Sequence, residues 1–145
     1  MSRIRDPRSG ARSVARKLAM QALYCLQLNE TPWQDLLSEF AAEEDMACAD
    51  RDYFDEIVRT VFESRTALDE QLKDWADRAP TELDPVEHAV LLIGMHELAH
   101  RPDVPWRVVV NEAVSLTRRF GATDAHKYVN AVLDRAARVL RPHEH

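Results

Sequence analysis

The tetrapeptide Asp84-Pro85-Val86-Glu87, followed by an apolar run from Ala89 to Met95, constrains this chain more than any other feature. An Asp side chain can accept from the free N–H groups at a helix start, Pro is preformed for the first helical position, and Glu at the third can reach back to the cap. The helix so opened is apolar on nearly every side. A helix of that kind is stable only when other elements surround it, so it predicts the centre of a bundle.

The rest of the chain supplies the surrounding helices. Val14, Leu18, Ala22, Cys25 and Leu26 recur at helical spacing and predict a first helix from about Ser9 or Arg12 to Leu28. Thr31-Pro32-Trp33-Gln34 reads as a capping box for a short helix burying Trp33, Leu36, Leu37 and Phe40. An acidic loop over residues 43–50 precedes a helix marked by Tyr53, Phe54, Ile57, Val58, Val61 and Phe62. Thr66-Ala67-Leu68-Asp69 repeats the box signature, with Leu68, Leu72, Trp75 and Ala76 inward; pattern alone leaves open whether these are one helix or two. Pro80 ends the segment. Val109, Glu112, Ala113 and Leu116 carry a helix closed by Gly121 as a C′ residue, and Thr123 caps a last helix with Ala125, Val129, Val132, Leu133, Ala136 and Leu140 inward. With only 3 glycines and no alternating run bounded by turn residues, the expectation is an all-α fold of about seven helices in two small packed bundles. Residues 1–10 read as a basic arm ahead of it.

Net charge is −6, which by itself argues against nucleic acid, but its distribution is uneven. Arg3, Arg5, Arg8, Arg12, Arg16 and Lys17 face only Asp6, giving +5 over residues 1–17. Between Glu30 and Glu56 ten acids face only Arg51, and from Arg101 to Arg141 eight basic residues outnumber four acidic ones. An acidic middle between basic ends can fold to one positive face. The two cysteines, Cys25 and Cys48, lack ligand spacing and read as small buried apolar groups. No apolar run follows the N-terminal arginines, and Ala89 to Met95 is too short to span a bilayer. The expected setting is therefore soluble and cytoplasmic, with no membrane contact.

On the first helix Arg12 and Arg16 stand four apart, and Lys17, Gln21 and Tyr24 follow at helical spacing, away from the Val14–Leu18–Ala22 stripe. Cations for phosphates, an amide for base edges and a ring for stacking are the chemistries of single-strand RNA recognition. Lys127 and Tyr128 add a second cation and ring at the start of the last helix. The same residues also suit a solvated helix face with two rim tyrosines, and residue type alone does not decide between the two.

An ordered set of short motifs carries further information. Ala19-Met20-Gln21-Ala22-Leu23-Tyr24 comes first; then Glu97-Leu98, Asp103-Val104-Pro105, Asn111-Glu112-Ala113 and Phe120-Gly121-Ala122; then His126-Lys127-Tyr128-Val129-Asn130 with Val132-Leu133-Asp134. In order and spacing, from about Arg12 to Leu140, the chain resembles the NusB family. The resemblance implies a single helical RNA-binding domain that binds a boxA-type single-stranded RNA together with NusE, a small-subunit ribosomal protein. It further implies action within the RNA polymerase antitermination complex, notably on ribosomal RNA operons, with no reaction catalysed and no cofactor. Glu87 and Asp124 match positions the family uses toward its protein partner. Two departures stand out: Ser13 and Val14 interrupt the arginine cluster that opens the family's first helix, and Ala131 follows Asn130 where glycine is common. The competing readings are an RNA-binding module of an RNA-modification or ribosome-maturation pathway, and a homodimeric protein-interaction bundle.

His96-Glu97-Leu98-Ala99-His100 matches H-E-x-x-H, in which two imidazoles one turn apart chelate zinc and the Glu activates water. The motif needs a third ligand and a substrate cleft. Asp103 falls three residues on, past Pro102, and Glu112 is closer than the known pattern allows. No metal or catalytic site is assigned. The acids Glu43, Glu44 and Asp45 read as a solvated loop.

Overall fold

The computed structural model describes residues 7–29 and 31–144. The upstream arginines Arg3 and Arg5, and the side chain of Arg8, lie outside the described residues. Six α-helices occur among those described, with no strand: α1 (Pro7–Leu28), α2 (Trp33–Ala41), α3 (Arg51–Leu72), α4 (Pro85–His100), α5 (Trp106–Phe120) and α6 (Ala125–Leu140). Short 3-10 turns lie at Glu44–Cys48, Pro80–Glu82 and Pro142–Glu144. The all-α expectation holds. Six helices stand in place of seven because α3 runs unbroken through Thr66, whose capping signature goes unused. Helix α1 also begins earlier than expected, so residues 7–10 of the expected arm are helical.

The chain divides into two compact units, Met1–Phe62 and Glu63–His145. In the first, α1 packs against α2 and the Glu44–Cys48 turn. Buried there are Leu18, Ala22, Leu36, Phe40, Phe54, Ile57 and Val58, with the Phe40 and Phe54 rings 5.9 Å apart. Asp50 caps α3: its Oδ1 accepts from the Tyr53 N–H at 3.0 Å, while its own N–H donates to the Ala11 carbonyl at 3.0 Å. Satisfying an orphan donor and tying α1 to α3 in one residue fixes where the chain re-enters helix. Trp33 and Leu37 are half-buried, Cys25 is half-buried, and Cys48 is exposed on its short turn. The expected burial of both cysteines is therefore corrected.

In the second unit α4, α5 and α6 pack against one another. The Asp84 cap is realised as the sequence predicts, with Oδ1 accepting from the Val86 N–H at 2.9 Å. Every α4 residue from Ala89 to Leu98 is buried. A Cβ on Gly94 would stand 2.8 Å from the Leu133 methyls, so glycine there permits the close approach of α6. Three other caps differ from expectation. Pro32 is itself the α2 N-cap, extended at φ −58° and ψ 139°, so α2 starts one residue late. Gly121 is extended at φ −91°, and its missing Cβ matters through crowding: a Cβ would lie 2.8 Å from the Thr117 carbonyl oxygen. Asp124, not Thr123, is the N-cap of α6, and it adopts a left-handed φ of 67°.

Arg141 completes the unit. Only 3% exposed, its guanidinium donates to the carbonyls of Leu98 (2.7 Å), Val104 (3.0 Å), Glu97 (3.0 Å) and Arg101 (2.8 Å), and to the Glu144 carboxylate. All five N–H donors are thus used, on carbonyls at and just beyond the C-terminal end of α4 and on one carboxylate. A cation at that end is also favoured by the helix dipole.

Candidate functional site

The residues singled out on the first helix fall in the first unit, and their surroundings are not those of a free basic face. Arg12 lies with its guanidinium 4.5 Å from the Tyr53 ring centroid and its Nε 3.9 Å from Asp50 Oδ2. One turn on, Arg16 is only 3% exposed, with its guanidinium 5.3 Å from the same ring. Spacing places Arg16 on the outer face; packing places it inside, because the start of α3 brings the buried Tyr53 up against that side of α1. Lys17 forms an ion pair with Asp45. The acidic segment expected to be a solvated loop is therefore docked in part: Asp45 and Asp50 both answer cations of α1, while Glu43 and Glu44 stay exposed.

Gln21 is half-buried and Tyr24 is exposed, so α1 still presents an amide and a ring beside Lys17. Asp50 has a legible signal, an Asp one residue ahead of a helix; Tyr53 and Asp45 have none, since each acts through a contact with α1.

In the second unit Lys127 projects into solvent and pairs loosely with Asp124 at 3.4 Å. Tyr128 is half-buried, with its hydroxyl fully covered and without a hydrogen-bond partner among the described residues. Over its ring sits the Arg78 guanidinium, 4.8 Å from the centroid, a residue the sequence reading missed because it lies in the irregular segment before Pro80. Glu87, in the first turn of α4, is 5% exposed, and its Oε2 is buried with no hydrogen-bond partner among the described residues. Burial raises its carboxyl above the usual carboxylate value, the neighbouring Asp84 raises it further, and the Arg78 charge partly offsets both. Asp124 is exposed at the mouth of α6.

The H-E-x-x-H segment is built into the α4 core. His96 is buried, His100 is exposed, and their rings stand 5.5 Å apart. Glu97 is 1% exposed, and its backbone carbonyl serves Arg141. No group of three or more metal-ligating side chains gathers among the described residues. No described helix is long and apolar enough to cross a membrane.

Fold and surface together define an all-helical protein whose first and last helices each carry a cation beside a tyrosine. The NusB family profile matches residues 13–138, and the chain belongs to the NusB family. It is 44% identical over 136 residues to the transcription antitermination protein NusB of Marinobacter nauticus, covering 94% of this chain and 86% of that one. With the protein of the same name from Escherichia coli it shares 45% over 134 residues, 92% of this chain and 96% of the relative. Among solved structures, T. maritima NusB superposes with a TM-score of 0.78 at 21% identity, covering 93% of each chain, a likeness of fold.

Proposed function

We propose that this chain is a cytoplasmic transcription antitermination factor that binds a boxA-type single-stranded RNA together with NusE, as part of the antiterminating RNA polymerase complex. The observation that carries the reading is the α1 surface on which Lys17, Gln21 and exposed Tyr24 lie in succession, in a chain whose close relatives bear the antitermination name. Lys17 and Arg12 meet phosphates, Gln21 a base edge, and Tyr24 a base face; Lys127 and Tyr128 extend contact on α6. Arg16, buried against the Tyr53 ring, acts by packing that ring against α1. Glu87 and Asp124 are assigned to the protein partner. No reaction and no cofactor enter this function.

Fluorescence anisotropy on a short boxA-like RNA, with and without NusE and across a salt series, tests it. Binding should tighten with NusE and weaken linearly in log–log salt, by a slope of about −0.7 for each phosphate neutralised. Lys17→Ala should flatten that slope, whereas Tyr24→Ala should cost ~1–3 kcal/mol of affinity with the slope nearly constant, since stacking releases few ions. A protein that binds no RNA in either condition overturns the proposal.

A further inference from the structure

In the second unit Tyr128 is the ring assigned to the RNA, yet its environment limits what it can offer a base. Its hydroxyl is buried, so it offers no polar atom to a base, and what remains exposed of the side chain is carbon. Those carbons lie under the Arg78 guanidinium at 4.8 Å. A base stacking directly on Tyr128 would compete with a cation already seated on the ring, and cation–π contacts of this kind are themselves favourable.

Arg78 is exposed, and its guanidinium is seated on the Tyr128 ring. Pro80 and Leu83, both buried, anchor the segment that carries it. The adjacent Asp77 faces Arg135 at 3.8 Å, so that carboxylate is turned to a different cation. Glu87, buried in the first turn of α4, lies within reach of Arg78's charge. The guanidinium thus rests on an aromatic ring, on a residue that is otherwise exposed to solvent. Guanidinium planes serve as stacking surfaces for unpaired bases, as aromatic rings do.

We infer that Arg78 is itself an RNA-contacting residue, the outer layer of a two-tier platform in which a nucleobase stacks on the guanidinium and the guanidinium rests on Tyr128. Exposed Lys127, on the same turn of α6 as Tyr128, serves the adjoining phosphate. This rests on the RNA-binding function proposed above and deepens it by adding a recognition residue outside the helices.

The test measures anisotropy of a boxA-like RNA oligonucleotide with the full chain as wild type, Arg78→Ala and Arg78→Lys, across a salt series, with thermal melts on each. Stacking on the guanidinium requires Arg78→Ala to weaken binding by roughly tenfold. Arg78→Lys, which keeps the charge and loses the plane, should restore the salt slope and little of the affinity. Wild-type affinity in Arg78→Ala overturns the inference, as does full rescue by lysine, which would reduce Arg78 to a point charge. If the alanine variant melts early, the lysine variant decides alone by the same criterion. A wild-type chain that binds no RNA overturns the proposed function and this inference together, whereas a binding wild type with an indifferent Arg78 removes only the latter.

Discussion

The Glu144 carboxylate caps α5 from 38 residues away: its Oε2 accepts the backbone N–H of Trp106 at 3.1 Å. Helix α5 begins after Pro105 with no side-chain cap of its own, so this distant acid takes one of the four donors that a helix start leaves unpaired. The other oxygen binds Arg141, whose remaining donors hold the end of α4. One short C-terminal segment thereby fastens two helix termini.

Removing Arg141 should be among the most damaging single changes in this chain. Arg141→Ala would remove five hydrogen bonds at once, and with them the side-chain donors of the Leu98 and Val104 carbonyls. Loss of a buried, fully paired cation typically costs about 3–5 kcal/mol. Arg141→Lys should recover little, because one ammonium cannot span five acceptors. Urea denaturation checks both; a lysine variant as stable as wild type would contradict the geometry.

Glu144 makes stability acid-sensitive. The Trp106 N–H and then the Arg141 guanidinium hold its carboxyl below the usual value of 4.5 in the folded state. Its folded pKa is depressed, so its contribution is present above the unfolded value and is lost as pH falls through the lower folded one. Glu144→Gln should therefore flatten the acid limb of a stability–pH curve and leave the neutral limb lower. An unchanged acid limb would show that the tether is not made in solution.

Arg16 is expected to behave as a core residue. Its guanidinium is desolvated against Tyr53, where cation–π contacts are worth about 2 kcal/mol. Arg16→Ala should lower the melting temperature by roughly 4–8 °C in a chain of this size. The RNA salt slope should hardly move, in contrast to Lys17→Ala. A variant that melts like wild type but loses slope would return Arg16 to the RNA face.

If Lys17 meets RNA as proposed, its ion-pair partner Asp45 should compete with RNA for it. Asp45→Asn should raise affinity for a boxA-like RNA, by no more than about fivefold given what exposed ion pairs contribute. The gain should shrink as salt rises. Anisotropy at low and high salt measures it, and weaker binding in this variant would mean that the pair positions Lys17 and does not restrain it.

Glu87 should show stability and partner binding moving in opposite directions. Its pKa is raised in the fold, chiefly by burial, so stability is fully present below 4.5 and is lost as pH rises through the raised value. Glu87→Gln should melt above wild type at neutral pH, with the difference vanishing below about pH 4. Glu87→Gln and Glu87→Lys should both weaken the NusE-assisted complex. If neither changes that affinity, Glu87 has no partner role.

Where a strong cap or a long apolar stripe acts within a few residues, sequence and structure agree. The Asp84-Pro85 start, the apolar wrap of α4 and the stripe of α6 are all realised, because propensity, capping and periodicity operate inside one or two helical turns. Three local signals were overridden. Thr66 lies within a continuous helix, Pro32 is extended at the head of α2, and Asp124 takes a left-handed turn before α6. Each shows a weak cap yielding to the path the chain follows between packed elements.

The site divides the same way. Helical spacing placed Lys17, Gln21 and Tyr24 in succession on one helix and set Lys127 beside Tyr128, and the ordered motifs pointed to the family. The sequence by itself thus determined the all-helical class, the centre of the second unit and the candidate residues. Only tertiary structure decided their state: Arg16 buried against Tyr53, Lys17 paired with Asp45, Arg78 laid over Tyr128, and Arg141 spent on α4. Those contacts join residues 28 to 50 positions apart, where no periodicity runs and the outcome depends on which faces meet when the helices pack.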